Sequence, residues 1–436
     1  MVMATVTTRI WSAGAGLLTS IFIAKKFTPE MQGVYYTFIS IILIQQIFEL
    51  GFITSISQFC SHEMAKLEWS DAGILIGQSD AKRRVQSVVG LLLLWFSMAA
   101  AAIIIVLLVG GLLFFKTTPN TGVPFIDIAM PWSLLVICSV GNLLVTAILA
   151  VIEGCGRVSD VLYIRFLQSI ISYGFGWLIL YTGGGLYIVV GISCGSFLIG
   201  ISIIIKSHRA FFIDLFHTPK NLPGVNWAIE VWPFQWRMAV SWACGVVLFY
   251  IVNPWLYRSQ GPIVAGQMGM SVQLLNGLNS LAIAWITSKM PLYGKLIGQG
   301  NKIDLDRLFF RSLIQSSGFI IVMILGLLGV LSFVKNIDES FYNRFLDVKL
   351  LALLGVGAMV SHITHSQALY LRAHRQEPFM VVSLISAIAF LVTAYILVPL
   401  YGASGMVYSS VGTSVFVSLV AGTLVFYKKR KQWSAD

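Results

Sequence analysis

Long apolar stretches occupy most of this chain and decide what it can fold into. Hydrophobic side chains make up 57% of the 436 residues and charged ones only 11%, and the mean hydropathy is +0.84. In an average soluble protein, roughly a quarter of the residues are charged. A helix needs about 20 apolar residues to cross the hydrocarbon core of a bilayer. The composition therefore excludes a soluble globule and predicts an integral membrane protein.

Twelve stretches have the length of a membrane helix. Transmembrane β-strands would instead show alternation over about ten residues, so the sequence predicts an all-α integral membrane fold with about twelve transmembrane helices. The predicted spans are 10–24, 33–56, 85–111, 132–152, 163–181, 186–205, 238–257, 264–288, 312–334, 350–371, 379–398 and 404–426.

The positions of the basic residues predict the orientation. With the N-terminus inside, most of the 29 Lys and Arg residues fall in the inner segments, where such residues are retained during insertion. We therefore expect both termini in the cytoplasm and a multi-pass protein of the inner (cytoplasmic) membrane. The net charge of +11 reflects this bias, and because no soluble segment is long enough for a basic domain, we expect no nucleic acid partner.

The two halves of the chain carry matching marks, which predicts a duplication. We expect an N-terminal six-helix bundle at 1–206, a polar cytoplasmic linker at 207–236 and a C-terminal six-helix bundle at 237–436. Duplicated bundles are typical of transporters, because the halves can rock about a site between them. The matching pairs are Pro29–Gly33 with Pro262–Gly266, Ile76–Gln78 with Ile297–Gln299, and Ala150–Arg157 with Ala368–Arg375.

Polar residues inside the predicted spans are the candidates for function. A charge at the centre of a membrane helix costs about 2.5 to 3.5 kcal/mol on insertion scales, and Glu49 lies inside span two with Gln45 one turn away. Glu49 could be a cavity-lining proton or cation site, or a carboxylate tethered to a basic residue at the inner end of the span. The sequence leaves both interpretations open.

Span eight carries a comparable polar face with Gln273, Asn276 and Asn279. Asn279 follows Gly266 at the same interval at which Gln46 follows Gly33. Such faces could bind sugar hydroxyls in an aqueous cavity or join neighbouring helices through amide hydrogen bonds. The number of polar side chains within two turns favours the cavity.

Paired cations and paired histidines complete the candidates. Arg9 and Arg237 begin spans one and seven; Arg can hold a phosphate with two hydrogen bonds, although position alone favours an anchor at the inner interface. His362 and His365 share a face of span ten, where a hydrogen-bonded structural pair is favoured over proton sensing. We expect no metal site, no cofactor and no enzymatic activity, since the sequence carries no metal-ligand spacing, nucleotide-binding loop or catalytic motif.

Two stretches of the sequence resemble stretches of the polysaccharide and O-antigen flippases. These flippases belong to the multidrug, oligosaccharidyl-lipid and polysaccharide exporter (MATE-like) superfamily. The stretch 9–36, with Arg9, the run Phe27–Gly33 and Tyr35-Tyr36, is similar to their first helical hairpin, and 261–300 is similar to the corresponding part of their second half. The resemblance implies alternating access in two bundles and a cationic central cavity, which favours Arg9 and Arg237 as ligands of the substrate. The chain departs from the drug exporters in having no Asp well inside spans one or seven.

The resemblance implies a substrate and partners. We expect an undecaprenyl-pyrophosphate-linked glycan, flipped from the inner to the outer leaflet for O-antigen, capsule or exopolysaccharide synthesis, with membrane lipids, a polysaccharide polymerase and glycosyltransferases as partners. The alternative is a cation-coupled exporter of drugs or other small molecules with the same fold, in which Glu49 couples the ion. A membrane glycan polymerase or ligase is disfavoured, because the predicted outer loops are short.

Overall fold

The computed structural model of the chain describes residues 2–49, 51–118, 122–217, 224–374 and 378–435. The side chains of residues 2–10, including the candidate Arg9, lie outside the described part, as do residues 218–223 of the predicted linker and Arg375 of one matching mark.

Helices account for almost all of the described residues. A seven-residue π-helical segment, Thr413–Leu419, lies between the last two of them. The helices are α1 (Val2–Lys26), α2 (Pro29–Leu43), α3 (Gln46–Glu49), α4 (Phe52–Glu63), α5 (Ser79–Thr117), α6 (Phe125–Gly154), α7 (Val158–Tyr181), α8 (Tyr187–His217), α9 (Trp227–Glu230), α10 (Trp232–Tyr250), α11 (Val252–Gln260), α12 (Pro262–Thr287), α13 (Met290–Gly298), α14 (Lys302–Ile337), α15 (Glu339–Tyr342), α16 (Val348–Ala373), α17 (Met380–Tyr401), α18 (Ala403–Gly412) and α19 (Val420–Ala435).

The prediction of a helical, multi-pass membrane protein is confirmed. Among the described residues, nine helical stretches are long and apolar enough to cross a membrane, judged by length and composition. The helices α1, α7 and α12 are not among the nine, although they have 25, 24 and 26 residues and coincide with predicted spans. A total of twelve spans and the cytoplasmic position of both termini stay predictions.

A β-hairpin in the loop between α4 and α5 was not predicted. Its strands β1 (Leu67–Trp69) and β2 (Leu75–Gly77) pair antiparallel. The indole nitrogen of Trp69 donates a hydrogen bond of 2.7 Å to the carbonyl oxygen of Cys155, and the Arg157 guanidinium lies 4.7 Å from the Trp69 ring centre. The hairpin thus packs on the turn after α6.

The helices pack into two compact units. Of the described residues, the first holds 44–49, 51–118, 123–217 and 224–242, and the second holds 2–43, Gly122, 243–374 and 378–435. By packing, α1 and α2 therefore belong with the helices of the second half of the chain. The predicted bundles at 1–206 and 237–436 describe the sequence repeat and stay a prediction.

Each unit has its own apolar core. In the first unit it forms where α6, α7 and α8 meet. In the second unit it joins α14, α16 and α19, with Phe309, Tyr370 and Phe426 in mutual ring contact. The core residues of the first unit are Val145, Leu149, Ile152, Val161, Ile164 and Ile204.

Within the second unit, two of the matching marks touch. A side-chain carbon on Gly266 would lie 2.9 Å from the backbone nitrogen of Gly33, and one on Gly33 would overlap the carbonyl group of Pro262. The side-chain amide of Gln32 donates to the carbonyl oxygens of Gly266, at 3.0 Å, and Arg344, at 2.9 Å. Glycine allows the backbones of membrane helices to approach this closely, so the matching turns form the contact between α2 and α12.

Candidate functional site

Predicted span two is not a continuous helix. Its backbone leaves the helical path twice, after Leu43 and again at Gly51, which has a φ of 69°. Between these points, the amides of Ile47 and Phe48 donate to carbonyls three residues back, at 3.0 and 2.9 Å, and the indole of Trp95 donates to the Phe48 carbonyl oxygen at 3.1 Å. Irregular backbone at membrane depth is tolerated where protein buries it or where it lines a water-filled cavity.

The break carries three of the candidate residues. Gln45 lies in the turn before α3, Gln46 is its first residue and Glu49 its last, and all three side chains are half-buried. Among the described residues, the buried Oε1 of Gln45 has no hydrogen-bond partner, and no described basic side chain forms an ion pair with Glu49. The tethered interpretation of Glu49 therefore finds no partner in the described part of the chain.

The two candidate arginines are placed differently. Arg9 lies in α1, with its side chain outside the described part. Arg237 is exposed near the start of α10, with its guanidinium 5.6 Å from the ring centre of Trp236. An exposed guanidinium beside an exposed indole is free to meet a phosphate, from either a lipid headgroup or a substrate.

On α12 the candidate polar residues point in different directions. Gln273 is half-buried, and its amide nitrogen faces Gly16 of α1, 3.7 Å from where a side-chain carbon would stand. Asn276 is exposed, and so is Ser280 one turn later, whose hydroxyl donates to the Gly277 carbonyl oxygen at 2.8 Å. The predicted polar face is thus exposed at Asn276 and Ser280 and packed at Gln273.

Asn279 and His362 form a hydrogen bond between helices. Oδ1 of Asn279 lies 3.2 Å from Nδ1 of His362, whose Nε2 lies 2.9 Å from the hydroxyl of Ser316. His362 and Ser316 are fully buried, at 0% exposure. The three side chains join α12, α14 and α16 in the second unit, which is the helix-joining role that the sequence left open for Asn279.

The paired histidines differ in their surroundings. His365 is exposed, whereas His362 is enclosed. No group of three or more His, Cys, Asp or Glu side chains in the described part could hold a metal ion.

Sequence reasoning missed the serines of α14. Ser312 lies one turn before Ser316 and is also fully buried, and the ammonium of Lys289 donates to its hydroxyl at 2.7 Å. Burial, together with the nearby charge of Arg311, lowers the pKa of Lys289. Two serines at helical spacing within an apolar span were the available signal, because hydroxyls at that spacing share one face.

Comparisons with known proteins address the fold. No family model matches the chain, and no curated protein matches it. Among solved structures, it is similar to a multidrug resistance MATE family transporter of the MOP superfamily in its inward-facing conformation, with 14% identity and a TM-score of 0.68 over 99% of this chain and 95% of that one. An outward-facing conformation of such a transporter gives 14% identity and a TM-score of 0.64 over 100% and 96%.

A third similar structure is the MATE multidrug transporter DinF-BH. Its identity to this chain is 14%, and its TM-score is 0.62 over 99% of this chain and 94% of that one. At this level of identity, the likeness concerns the fold. The chain therefore has the fold of the MATE family transporters of the MOP superfamily.

Proposed function

We propose that this protein is a flippase. It moves a polyprenyl-pyrophosphate-linked oligosaccharide from the inner to the outer leaflet of the cytoplasmic membrane for surface polysaccharide synthesis, by alternating access. The similar solved structures are transporters, which supports transport as the class of function. The choice of a glycan substrate rests on the side chains of α12.

The exposed polar face of α12 is the observation that carries this proposal. Asn276 and Ser280 are exposed one turn apart in the second half of a 26-residue helix, and α12 contains no ionisable residue. Polar side chains rarely face lipid inside a membrane, because their transfer into hydrocarbon is costly, so this face meets water. Neutral amides and hydroxyls suit the hydroxyls of a sugar better than they suit an organic cation.

The contact between α2 and α12 supports alternating access. It joins a helix of the predicted N-terminal bundle to a helix of the predicted C-terminal bundle through Gly33, Gly266 and the amide of Gln32. In a duplicated transporter the two bundles rock about the site. Because α2 and α12 lie in the same compact unit, the pair moves together with that unit in the proposed cycle.

A strain whose surface glycan depends on this protein provides the test. The variants are Arg9→Ala, Arg237→Ala and Asn276→Ala, and Arg307→Ala is the matched control, because Arg307 is exposed and pairs with Asp304 at 3.3 Å. We expect the first three to lose surface glycan while the protein still inserts, and the control to keep it. Normal glycan in all three variants would overturn the proposal.

Glu49 favours a second candidate, a cation-coupled exporter of small molecules. Its half-buried carboxylate, without an ion-pair partner in the described part of the chain, could bind a proton or a metal cation. This candidate predicts that deleting the protein raises drug sensitivity and leaves surface glycan unchanged, and that Glu49→Gln abolishes efflux. Transport of a lipid-linked glycan, but of no drug, in proteoliposomes would exclude it.

A further inference from the structure

Two cations lie close together at the predicted inner end of the second unit. Lys289 follows α12 and reaches across to α14, where its ammonium donates to the hydroxyl of Ser312 at 2.7 Å. The residue before that serine is Arg311, which is exposed and whose charge acts on Lys289. Lys289 comes just after predicted span eight, and Arg311 just before span nine. Both cations are therefore expected at the depth of the lipid phosphates.

In the described part of the chain, no carboxylate balances these two cations. The acidic residues of α14 have other partners: Asp304 binds Arg307 at 3.3 Å, and Asp306 binds Arg430 at 2.7 Å. The helices that share the apolar core with the start of α14, namely α12, α13, α16 and α19, contain no acidic residue. Like charges that lie close together repel each other. An anion that binds both cations would remove this repulsion, so the position suits an anionic ligand.

Arg311 stands on the exposed side of α14. Ile314, Val322 and Leu325 share that side by helical spacing, and their side chains are exposed by 71%, 68% and 62%. In a membrane helix, an exposed apolar stripe of this kind meets lipid tails, which are as apolar as the side chains themselves. Arg311 therefore lies at the inner end of a lipid-facing stripe.

An exposed aromatic pair lies next to these cations, toward the membrane interior. The ring centres of Trp285 on α12 and Phe319 on α14 are 5.1 Å apart, and both side chains are exposed. Trp285 comes about one turn before Lys289. It is about two and a half turns from Asn276 and thus on the opposite side of α12. Since Asn276 belongs to the face assigned to the cavity, the aromatic pair faces lipid.

We propose that Lys289 and Arg311 bind the pyrophosphate of the polyprenyl-linked substrate where it first meets the protein, on the lipid-facing side of α12 and α14. The polyprenyl chain then lies against Trp285 and Phe319. A pyrophosphate carries negative charge on both of its phosphates, which matches a pair of cations. Arg can give one phosphate two parallel hydrogen bonds, and the ammonium of Lys289 keeps further donors beside the one given to Ser312. The inference rests on the proposed function and adds a docking site outside the cavity.

The first experiment measures equilibrium binding of radiolabelled undecaprenyl pyrophosphate to the purified protein in detergent micelles. Lys289→Gln and Arg311→Gln should each weaken binding at least about tenfold, because each removes a charge-assisted hydrogen bond. Lys289→Arg keeps the charge and should bind like the parent protein. The matched control is Arg307→Gln, one turn before Arg311, whose exposed guanidinium pairs with Asp304. Unchanged binding in both Gln variants at 289 and 311 would overturn the inference.

Competition identifies the lipid that the site takes. Undecaprenyl monophosphate should displace the label at least about tenfold less well than the pyrophosphate, because one phosphate meets fewer donors. Phosphatidylglycerol and cardiolipin at the same concentration should leave it bound. Displacement by cardiolipin as effective as by undecaprenyl pyrophosphate would show a site for bulk anionic lipid and overturn the inference. Trp285→Ala should also weaken binding, and an unchanged affinity in that variant would overturn the placement of the polyprenyl chain.

Surface glycan separates this inference from the proposed function. If the protein binds undecaprenyl pyrophosphate through Lys289 and Arg311 but its deletion leaves surface glycan normal, the proposed function fails and the docking site stands. If Arg237→Ala and Asn276→Ala lose surface glycan while the Gln variants at 289 and 311 keep the affinity of the parent protein, the proposed function stands and the docking site fails.

Discussion

Predicted spans two and eight begin alike and continue differently. At their starts, Gly33 of α2 and Gly266 of α12 lie against each other. Further along, span two breaks at Gln45 and again at Gly51, whereas α12 continues as one helix to Thr287. The matching starts form a tight contact, and the regions that follow have diverged.

The difference shows that residues at equivalent positions of the sequence repeat need not have the same structural role. Gln46 and Asn279 follow the two matching glycines at the same interval. Gln46 opens the short helix α3 in the break and is half-buried, while Asn279 bonds His362 inside the second unit. Within the described residues, an amide side chain thus has no hydrogen bond where the backbone is irregular and has one where helices pack. Four pairs of substitutions can test this difference.

The largest expected effect is at the shared contact. Gly33→Val places a branched side chain against the carbonyl group of Pro262, whose backbone cannot move aside as a side chain would. We expect the free energy of unfolding in micelles to fall by about 3 kcal/mol or more, at the upper end of the range of costs for overpacking. The control is Gly318→Val, an exposed helical position of α14 with no atom near the added carbon. Equal stability of the two variants would show that α2 and α12 do not need this contact.

Removing the two equivalent amides should give unequal losses. Asn279→Ala leaves Nδ1 of His362 buried without its acceptor, which should cost about 1 to 3 kcal/mol of unfolding free energy. Gln46→Ala removes a side chain with no hydrogen bond in the described part of the chain, so its effect should stay within about 0.5 kcal/mol. Denaturant titration of both proteins measures the difference. A loss in Gln46→Ala as large as in Asn279→Ala would mean that the break is as tightly paired as the helix core.

Replacing a glycine by alanine should destabilise the protein in span two and stabilise it in α12. Gly51 has a left-handed backbone, and a side-chain carbon there would lie 3.2 Å from Cβ of Met238, so Gly51→Ala should cost about 1 to 2 kcal/mol. Gly277 lies inside α12 with open space around it, so Gly277→Ala should stabilise the protein by up to about 1 kcal/mol. Stabilisation by Gly51→Ala would show that span two straightens into a helix.

The sequence predicted those features of this fold that depend on composition and spacing. Long apolar stretches require helices in a membrane, so most predicted spans lie within observed helices, and Gly33 and Gly266 were marked by their repeat. The break near Gln45 was visible only as polar residues in a weak span, because its geometry depends on the left-handed Gly51 and on the hydrogen bond from Trp95. The β-hairpin after α4 was missed, since its strands are three residues long.

The parts of the candidate site that join distant helices could not be read from spacing. His362 and Asn279 are far apart in sequence, and only packing shows that their side chains meet. The side of α12 that stays exposed was equally hidden, because Gln273, Asn276 and Ser280 lie within two turns and the neighbouring helices decide which of them is covered.

The smallest expected effect concerns two carboxylates, Glu49 in the break and Glu63 at the end of α4. Glu63 bonds Arg84 at 2.8 Å, so Glu63→Gln should cost up to about 1 kcal/mol. For Glu49, which has no such partner in the described part of the chain, Glu49→Gln should change the unfolding free energy by less than about 0.5 kcal/mol. Thermal unfolding of the two variants in the same detergent gives the comparison. If Glu49→Gln loses as much as Glu63→Gln, then Glu49 has a fixed partner, the break is a closed structural element, and Glu49 is no longer a candidate for cation binding.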